Sequence, residues 1–298
     1  MAGGKNMLLG DGAVLLVALI WGATNVVMRG ALEGITPFWF CALRFIVAWV
    51  TVAAVFPRQT LALPVKSRIA GIFTGAVFSF AYLSGAVALL YTTAGNESFI
   101  ISMSVVFVPL AVWVWTRRFP GWHLAVGVLL CLSGMAGLVL GDNMTVNFGD
   151  MLAFVSMLFV TAYILLVQKF VAGADPYGLS SWQACGVFVA SVTAALIFEP
   201  FPAHLGAAAI CAILYAGTIG FALTLVLQTV AQKYTTPTHV AILLSTSGIF
   251  GSLIGVVFLG EPMTWRIFIA SALILAGVLT VEAVPAALES RKNSRERA

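Results

Sequence analysis

Charge is scarce in this chain, and it contains no polar segment longer than a loop. Only 9% of the 298 residues are charged, 61% are hydrophobic, and the mean hydropathy is +1.05. A soluble domain usually carries about 25% charged residues. Apolar runs of the roughly 17–25 residues that cross a bilayer recur along the whole chain. The composition therefore excludes a soluble domain and predicts an all-α polytopic membrane protein.

The sequence also lacks the motifs of several enzyme and cofactor classes. It has no ATP-binding loop, no HExxH, no GxSxG with partner residues and no zinc-ligand spacing. All four cysteines lie inside apolar runs, and we interpret them as small buried thiols without a disulfide. They are Cys41, Cys131, Cys185 and Cys211. We expect no enzyme activity, catalytic residue, metal, cofactor, nucleic-acid partner or ATPase subunit.

Glycine, proline and charged residues divide the chain into ten apolar helices with short connections. The predicted spans are 12–30, 37–56, 69–91, 96–116, 121–140, 149–171, 177–198, 205–231, 236–259 and 263–284. The first run has no small-residue cleavage site behind it, which favours a spanning helix over a secretory signal. Lysine and arginine are concentrated in alternate loops and in the tail. By the positive-inside rule, both termini are predicted to be cytoplasmic.

The sequence repeats itself. The stretch YTTAGNESFIISMSVVFVPL from Tyr91 aligns without gaps with YTTPTHVAILLSTSGIFGSL from Tyr234. The segment GDGAVLL from Gly10 likewise matches GDMLAFV from Gly149. Each repeat then holds five helices, and an odd number places the second repeat upside down. Inverted repeats recur in secondary transporters, with the substrate near the midplane, although common ancestry alone could also explain the duplication.

These features set the expected domain boundaries. Residues 1–143 form the first five-helix repeat, 144–284 the second, inverted repeat, and 285–298 a basic cytoplasmic tail.

With ten helices, the duplication and its motifs, the chain resembles the EamA branch of the drug/metabolite transporter superfamily over nearly its whole length. The resemblance rests on WGATN, ALRF, the GD that opens the sixth helix, FLGEP and IASALILAGVLTV. The chain departs from the family at Val105 and Gly248, where proline is frequent. Within that branch, the chain resembles amino-acid exporters of the YddG type.

The resemblance implies a bacterial inner-membrane carrier that works by alternating access. We expect it to export amino acids, with aromatic or neutral side chains, and similar small metabolites. Because no helix centre carries Asp or Glu, export is expected to follow the gradient of the solute. A monomer is expected. The alternatives are a drug or nucleotide-precursor carrier, proton coupling, and, in other classes, a membrane enzyme acting on lipids or a membrane protein without flux.

Polar residues inside the first helix are candidates for a substrate site. Trp21, Asn25 and Arg29 are spaced one turn apart and share a face, and Thr24 lies beside them. That face is expected to meet protein or water rather than lipid. It forms either the wall of a substrate cavity or a helix–helix contact held by an amide.

Arg44 is the most distinctive single residue, because an arginine about two turns inside a spanning helix must face protein or water. It either anchors an anion such as a substrate carboxylate, or it is structural and binds carbonyls or pairs with Glu97. Glu97 lies one turn into the fourth helix, where the helix dipole alone would also favour it.

A further group of aromatic and neutral polar residues lies near the predicted midplane. Such a mixture suits an uncharged or zwitterionic solute of modest size. For each member, ordinary packing is the alternative. The group consists of Tyr82, Ser102, Tyr163, Trp182, Gln183, Tyr215, Gln228 and Ser245.

Overall fold

The structure is a computed structural model. It describes residues 2–31, 35–92, 97, 100–101, 103–117, 121–139, 148–202, 205–259, 265, 268–269 and 271–281, and these residues contain helices and no strand. The helices are α1 (Ala2–Ala31), α2 (Pro37–Val55), α3 (Pro57–Ala62), α4 (Val65–Ala88), α5 (Ser104–Thr116), α6 (Trp122–Val139), α7 (Phe148–Val171), α8 (Pro176–Phe198), α9 (Ala207–Gly217), a π-helical turn (Thr218–Leu223), α10 (Thr224–Ala231), α11 (Pro237–Leu244), α12 (Ser247–Leu259) and α13 (Ser271–Val281).

The all-α polytopic architecture is confirmed. In the part of the chain that the structure describes, five helical stretches are long and apolar enough to cross a membrane: α2, α4, α7, α8 and the continuous run Ala207–Ala231. Shorter apolar helices cover Leu8–Thr24, Ser104–Thr116, Trp122–Gly134 and Ser271–Val281.

Two of the predicted helices are interrupted. The span 205–231 contains the π-helical turn, beside which the Thr224 hydroxyl donates to the carbonyls of Gly220 at 2.8 Å and Phe221 at 3.1 Å. The span 236–259 is two helices, because the hydroxyls of Ser245 and Thr246 each donate to a carbonyl three residues earlier, both at 2.6 Å. Hydroxyls that bond back to the helix compete with its regular ladder and bend it.

Proline and capping groups set the helix starts. Pro37, Pro176 and Pro237 open α2, α8 and α11, where the missing N–H costs nothing. The start of α2 is also capped from α8. The Glu199 carboxylate accepts the backbone N–H groups of Phe38 and Trp39 at 3.1 Å. The unpaired N–H groups and the dipole at that helix end both favour a carboxylate.

The centre of the bundle is formed by α4, which packs against α7 and α8, and by α2, which packs against α8. Glycines allow α4 and α8 to touch through their backbones. A Cβ at Gly75 would overlap the carbonyl of Gln183, and one at Gly186 would overlap the carbonyl of Ile72. Small residues permit this close approach of helices in membranes.

Helix α7 defines the two ends of the bundle. Near its start, Asp150 accepts a hydrogen bond from the Thr92 hydroxyl. Further along, the carbonyl of Ile164 accepts from the Gln232 side chain at 3.2 Å, just before Thr235. The 14 residues from 150 to 164 rise about 21 Å at about 1.5 Å each. Below, the end of the bundle at Asp150 is called the Asp150 end. The opposite end is called the Asp11 end, because Thr235 bonds Asp11 there.

Three of the four cysteines are buried as expected, and for Cys211 the expectation is wrong. Cys211 is exposed on α9. An apolar helix in a membrane protein also has an apolar outer face, so hydropathy alone does not tell which face of the helix a thiol occupies.

Candidate functional site

Six aromatic rings from α1, α2, α4, α7 and the π-helical turn meet inside the bundle. Phe78 lies at the middle of this group. Its ring stacks on Tyr163 with centroids 3.7 Å apart and planes 5° apart, and it lies 4.8 Å from Tyr82. Phe45 contacts Phe221 at 4.5 Å and Tyr82 at 5.2 Å. We call Trp21, Phe45, Phe78, Tyr82, Tyr163 and Phe221 the interior aromatic cluster.

Arg44 lies against this cluster and is only 2% exposed. Its guanidinium carbon is 4.4 Å from the ring centroids of both Phe45 and Tyr82. Aromatic faces attract a cation, and the attraction grows when water is excluded. Glu97 also lies within electrostatic range of the Tyr82 hydroxyl. Its carboxylate is close to α4, since a Cβ built on Gly85 would lie 3.0 Å from Glu97 Oε1.

Helix α1 closes one side of the cluster. The indole N–H of Trp21 donates to the Thr224 hydroxyl at 3.1 Å, and the Trp21 ring lies 6.4 Å from Phe78. Thr24 is buried beside the π-helical turn, where a Cβ on Gly220 would lie 2.9 Å from the Thr24 side chain. The side chain of Asn25 lies outside the described part of the structure.

Neutral polar side chains are buried next to these rings. Tyr163, Gln183, Gln228 and Thr229, called here the interior polar group, are each 0% exposed. The Thr229 hydroxyl donates to Gln183 Oε1 at 3.0 Å. Within the described residues, Gln183 Nε2 and both amide atoms of Gln228 have no hydrogen-bond partner. Buried polar groups are nearly always paired, so an unpaired group inside a protein needs an explanation.

The remaining predicted residues lie elsewhere. Trp182 is at the start of α8, where its indole donates to the Thr60 carbonyl at 3.0 Å and the Arg68 guanidinium lies 5.4 Å from its ring. Tyr215 is half-buried on α9, and Ser245 is buried at the break between α11 and α12. Ser102 lies outside the described residues.

The structure thus brings together seven of the predicted residues and does not bring Trp182 to them. The seven are Trp21, Thr24, Arg44, Tyr82, Tyr163, Gln183 and Gln228. Gln228 is included because it lies one helical turn after Thr224, which bonds Trp21. Their contact with a substrate stays a prediction.

Sequence reasoning missed Phe78, Phe221, Thr224 and Thr229. Phe221 gives no signal, because a phenylalanine of a largely apolar helix can face lipid or protein. Phe78 gives one, because it stands four residues from both Thr74 and Tyr82 and so shares their face. Thr224 gives one: Gly220, Thr224 and Gln228 follow one another at four-residue spacing and form a single polar stripe on an apolar helix.

Comparison with known proteins gives a family match, two relatives and a solved structure. The chain matches the EamA-like transporter family over residues 8–140 and again over 147–282. It is 30% identical over 280 residues to an uncharacterized transporter of Archaeoglobus fulgidus, covering 94% of this chain and 88% of that protein. A second uncharacterized transporter of the same organism is 25% identical over 278 residues, 88% of this chain and 93% of the other.

A solved crystal structure shares the fold, with a TM-score of 0.79 and 18% identity over 96% of this chain and 99% of the other. The two family matches together span most of the sequence, and the fold is that of a multi-pass membrane protein. The chain therefore belongs to the EamA-like transporter family.

Proposed function

We propose that this protein is a secondary transporter that exports an amino acid with an aromatic or neutral side chain, or a similar small metabolite, from the bacterial cytoplasm. The observation that carries the proposal is the buried interior polar group, in which both amide atoms of Gln228 lack a partner among the described residues. A solute or water that donates and accepts hydrogen bonds would satisfy these atoms.

The surroundings of Gln228 suit a solute of this class. The interior aromatic cluster offers ring faces to an apolar side chain, and Tyr163 and Gln183 offer a hydroxyl and amide hydrogens to neutral polar groups. Arg44 supplies a fixed positive charge against the same cluster, which would favour a solute that carries a carboxylate. A purely structural Arg44 is the competing interpretation, and substitution separates the two.

The cycle that we propose is alternating access between two inverted repeats, 1–143 and 144–284, with the tail 285–298 and both termini in the cytoplasm. The breaks at the π-helical turn and at Ser245–Thr246 support it. Interrupted helices near the midplane commonly form the binding sites of secondary transporters and give them places to bend.

Export driven by the solute gradient alone is the simplest form of energy coupling. Among the described residues, the buried carboxylates are Asp11 and Asp150. They lie at the two ends of the bundle rather than beside the interior polar group. Glu97, whose carboxylate lies near Gly85 and Tyr82, is the acidic group that proton coupling would use, and Glu97→Gln tests that alternative. A proton carrier usually needs an ionisable group within the transport pathway.

Counterflow in proteoliposomes tests the proposal. Purified protein is reconstituted, the vesicles are loaded with one unlabelled amino acid, and uptake of the same labelled amino acid is followed with and without an imposed proton gradient. The panel contains aromatic and neutral amino acids together with their amine analogues, which lack the carboxylate. We expect saturable counterflow of at least one amino acid without a proton gradient.

Two variants sharpen the assay. Gln228→Leu removes the unpaired amide, whereas Thr193→Val removes an exposed hydroxyl that bonds only within its own helix, as far as the described residues show. We expect the first to lose counterflow and the second to keep it. Equal counterflow by both variants would refute the site, and no counterflow of any solute by the wild type would refute the transported class.

A further inference from the structure

Two buried carboxylates outside the proposed solute site bond to threonine hydroxyls in the same way. The Thr235 hydroxyl donates to Asp11 at 2.7 Å, and the Thr92 hydroxyl donates to Asp150 at 2.5 Å. Asp11 is 8% exposed and Asp150 is 9% exposed. Each bond joins one family-matched segment, 8–140, to the other, 147–282.

The two bonds are equivalent by sequence. The gapless alignment of the two YTT stretches pairs Thr92 with Thr235, and the alignment of the two GD stretches pairs Asp11 with Asp150. Exchanging the repeats therefore converts one bond into the other. A chance contact would not be expected to recur between the repeat-equivalent threonine and the repeat-equivalent carboxylate.

The local backbone is equivalent as well. Helix α4 ends at Ala88, whose carbonyl accepts the N–H groups of both Tyr91 and Thr92 at 2.9 Å. Helix α10 ends at Ala231, whose carbonyl accepts those of Tyr234 and Thr235 at 2.8 Å and 3.0 Å. The two threonines are thus presented by the same turn, formed by equivalent residues of the two repeats.

The glycines that precede the aspartates complete the correspondence. A Cβ on Gly10 would lie 3.3 Å from the Ala231 carbonyl oxygen, and a Cβ on Gly149 would lie 2.8 Å from the Ala88 carbonyl oxygen. In both places, the lack of a side chain lets the backbone at the glycine approach the end of the other helix this closely.

A third contact falls where a symmetry axis would pass. The Cys131 thiol of α6 donates to the Ile274 carbonyl of α13 at 3.7 Å. The alignment that pairs the two YTT stretches also pairs Cys131 with Ile274. A residue that contacts its own equivalent lies on the axis that exchanges the repeats. The bonds at the Asp11 end and at the Asp150 end lie on opposite sides of such an axis.

We propose that Asp11–Thr235 and Asp150–Thr92 are two clamps that hold the repeats together at the two ends of the transport pathway and open alternately. This inference rests on the proposed alternating access. Each bond crosses between the repeats at one end, so the repeats separate at that end when its bond breaks. Both clamps are closed in the structure.

Single substitutions in the threonines test the clamps. Thr235→Val and Thr92→Val keep the side-chain shape and remove the hydroxyl, while Thr→Ser at each position keeps the hydroxyl and should restore the wild-type result. In a background without native cysteines, Gln183→Cys, within the interior polar group, reports access to the interior. The substitution Lys169→Cys, at an exposed position near the end of α7, identifies the side on which the Asp11 end lies. A membrane-impermeant thiol reagent is added to either side of oriented vesicles.

The expected shifts have opposite signs. Thr235→Val should raise labelling of the thiol at position 183 from the Asp11 side and lower it from the other side, and Thr92→Val should do the reverse. A bond to a charged group is strong enough to change the ratio of the two labelling rates by about tenfold. Asp11→Asn should shift labelling as Thr235→Val does, and Asp150→Asn should shift it as Thr92→Val does, because a neutral acceptor holds the hydroxyl less strongly.

Other outcomes overturn the inference. If both valine variants lower the melting temperature and leave the labelling ratio unchanged, the bonds are structural attachments. If they shift labelling in the same direction, the bonds are not alternating clamps. The labelling needs no solute, so opposite shifts in a protein without counterflow would keep the clamps and refute the transport proposal. Normal counterflow with unchanged labelling would keep the transport proposal and refute the clamps.

Discussion

Replacing Gln228 by leucine should stabilise the protein while it abolishes transport. The amide of Gln228 is 0% exposed and, among the described residues, neither its oxygen nor its nitrogen has a partner. Leaving a buried polar group unpaired costs about 1–3 kcal/mol. Leucine has a similar volume and no polar atoms, so the folded state should gain a free energy of that order.

The assay compares the apparent melting temperature in detergent with counterflow in proteoliposomes. For Gln228→Leu we expect an increase of a few degrees in the melting temperature and the loss of counterflow. A stabilising substitution that removes activity is the expected signature of a residue retained for function.

Gln183→Leu is the matched control for stability. Gln183 is the same residue type and equally buried, but its oxygen accepts the Thr229 hydroxyl at 3.0 Å. Its removal leaves that hydroxyl without its acceptor, at a cost of about 1 kcal/mol. The substitution also removes the unpaired Gln183 Nε2, so the two effects oppose each other, and we expect a smaller rise in the melting temperature than for Gln228→Leu. If Gln228→Leu lowers the melting temperature and leaves counterflow intact, the amide of Gln228 is structural and the argument for the solute site fails.

Three further predictions concern the fold, the charge and the topology. Gly75→Ala should prevent folding, because its Cβ would overlap the Gln183 carbonyl. Gly12→Ala, with nothing within 4 Å of its Cβ, should raise the free energy of unfolding by about 0.5–1 kcal/mol. Equal melting temperatures of the two variants would contradict the close approach of α4 and α8. Arg44→Gln should weaken counterflow of amino acids at least tenfold more than that of their amine analogues if Arg44 binds the carboxylate; a uniform loss, with a lower melting temperature, would assign it a structural role. Reporter fusions should place both termini in the cytoplasm, and a periplasmic C-terminus would exclude ten spans.

The architecture was predictable because hydropathy acts over whole helices. About twenty apolar residues in a row suffice to place a span, and glycine, proline and charged residues mark its limits. The two repeats were predictable from Tyr91 and Tyr234, since the structure ends the preceding helices with the same turn at both places. The family follows from the same large-scale features.

The breaks inside helices were not predictable at this level. Ser245 and Thr246 stand in a run that is apolar enough to be one helix. The break depends on which carbonyl each hydroxyl bonds, and that is decided by the neighbouring helices. The same holds for the π-helical turn, where Thr24 lies against Gly220.

The site was only partly predictable because depth in a membrane helix does not tell which way a side chain faces. Gln183 and Trp182 are neighbours in sequence and at nearly the same depth, yet only Gln183 reaches the interior polar group, while Trp182 bonds the Thr60 carbonyl. Phe78 holds the centre of the aromatic cluster, and only its four-residue spacing from Thr74 and Tyr82 distinguishes it in the sequence from a phenylalanine that faces lipid.

Solute binding to the purified protein tests the central claim most directly. Labelled amino acids that give counterflow are bound at equilibrium to wild type, Gln228→Leu and Thr193→Val in detergent. We expect saturable binding to wild type and to Thr193→Val, and a dissociation constant at least tenfold higher for Gln228→Leu, because at least one hydrogen bond to the solute is lost. Equal binding by all three proteins would show that the solute does not occupy the interior polar group.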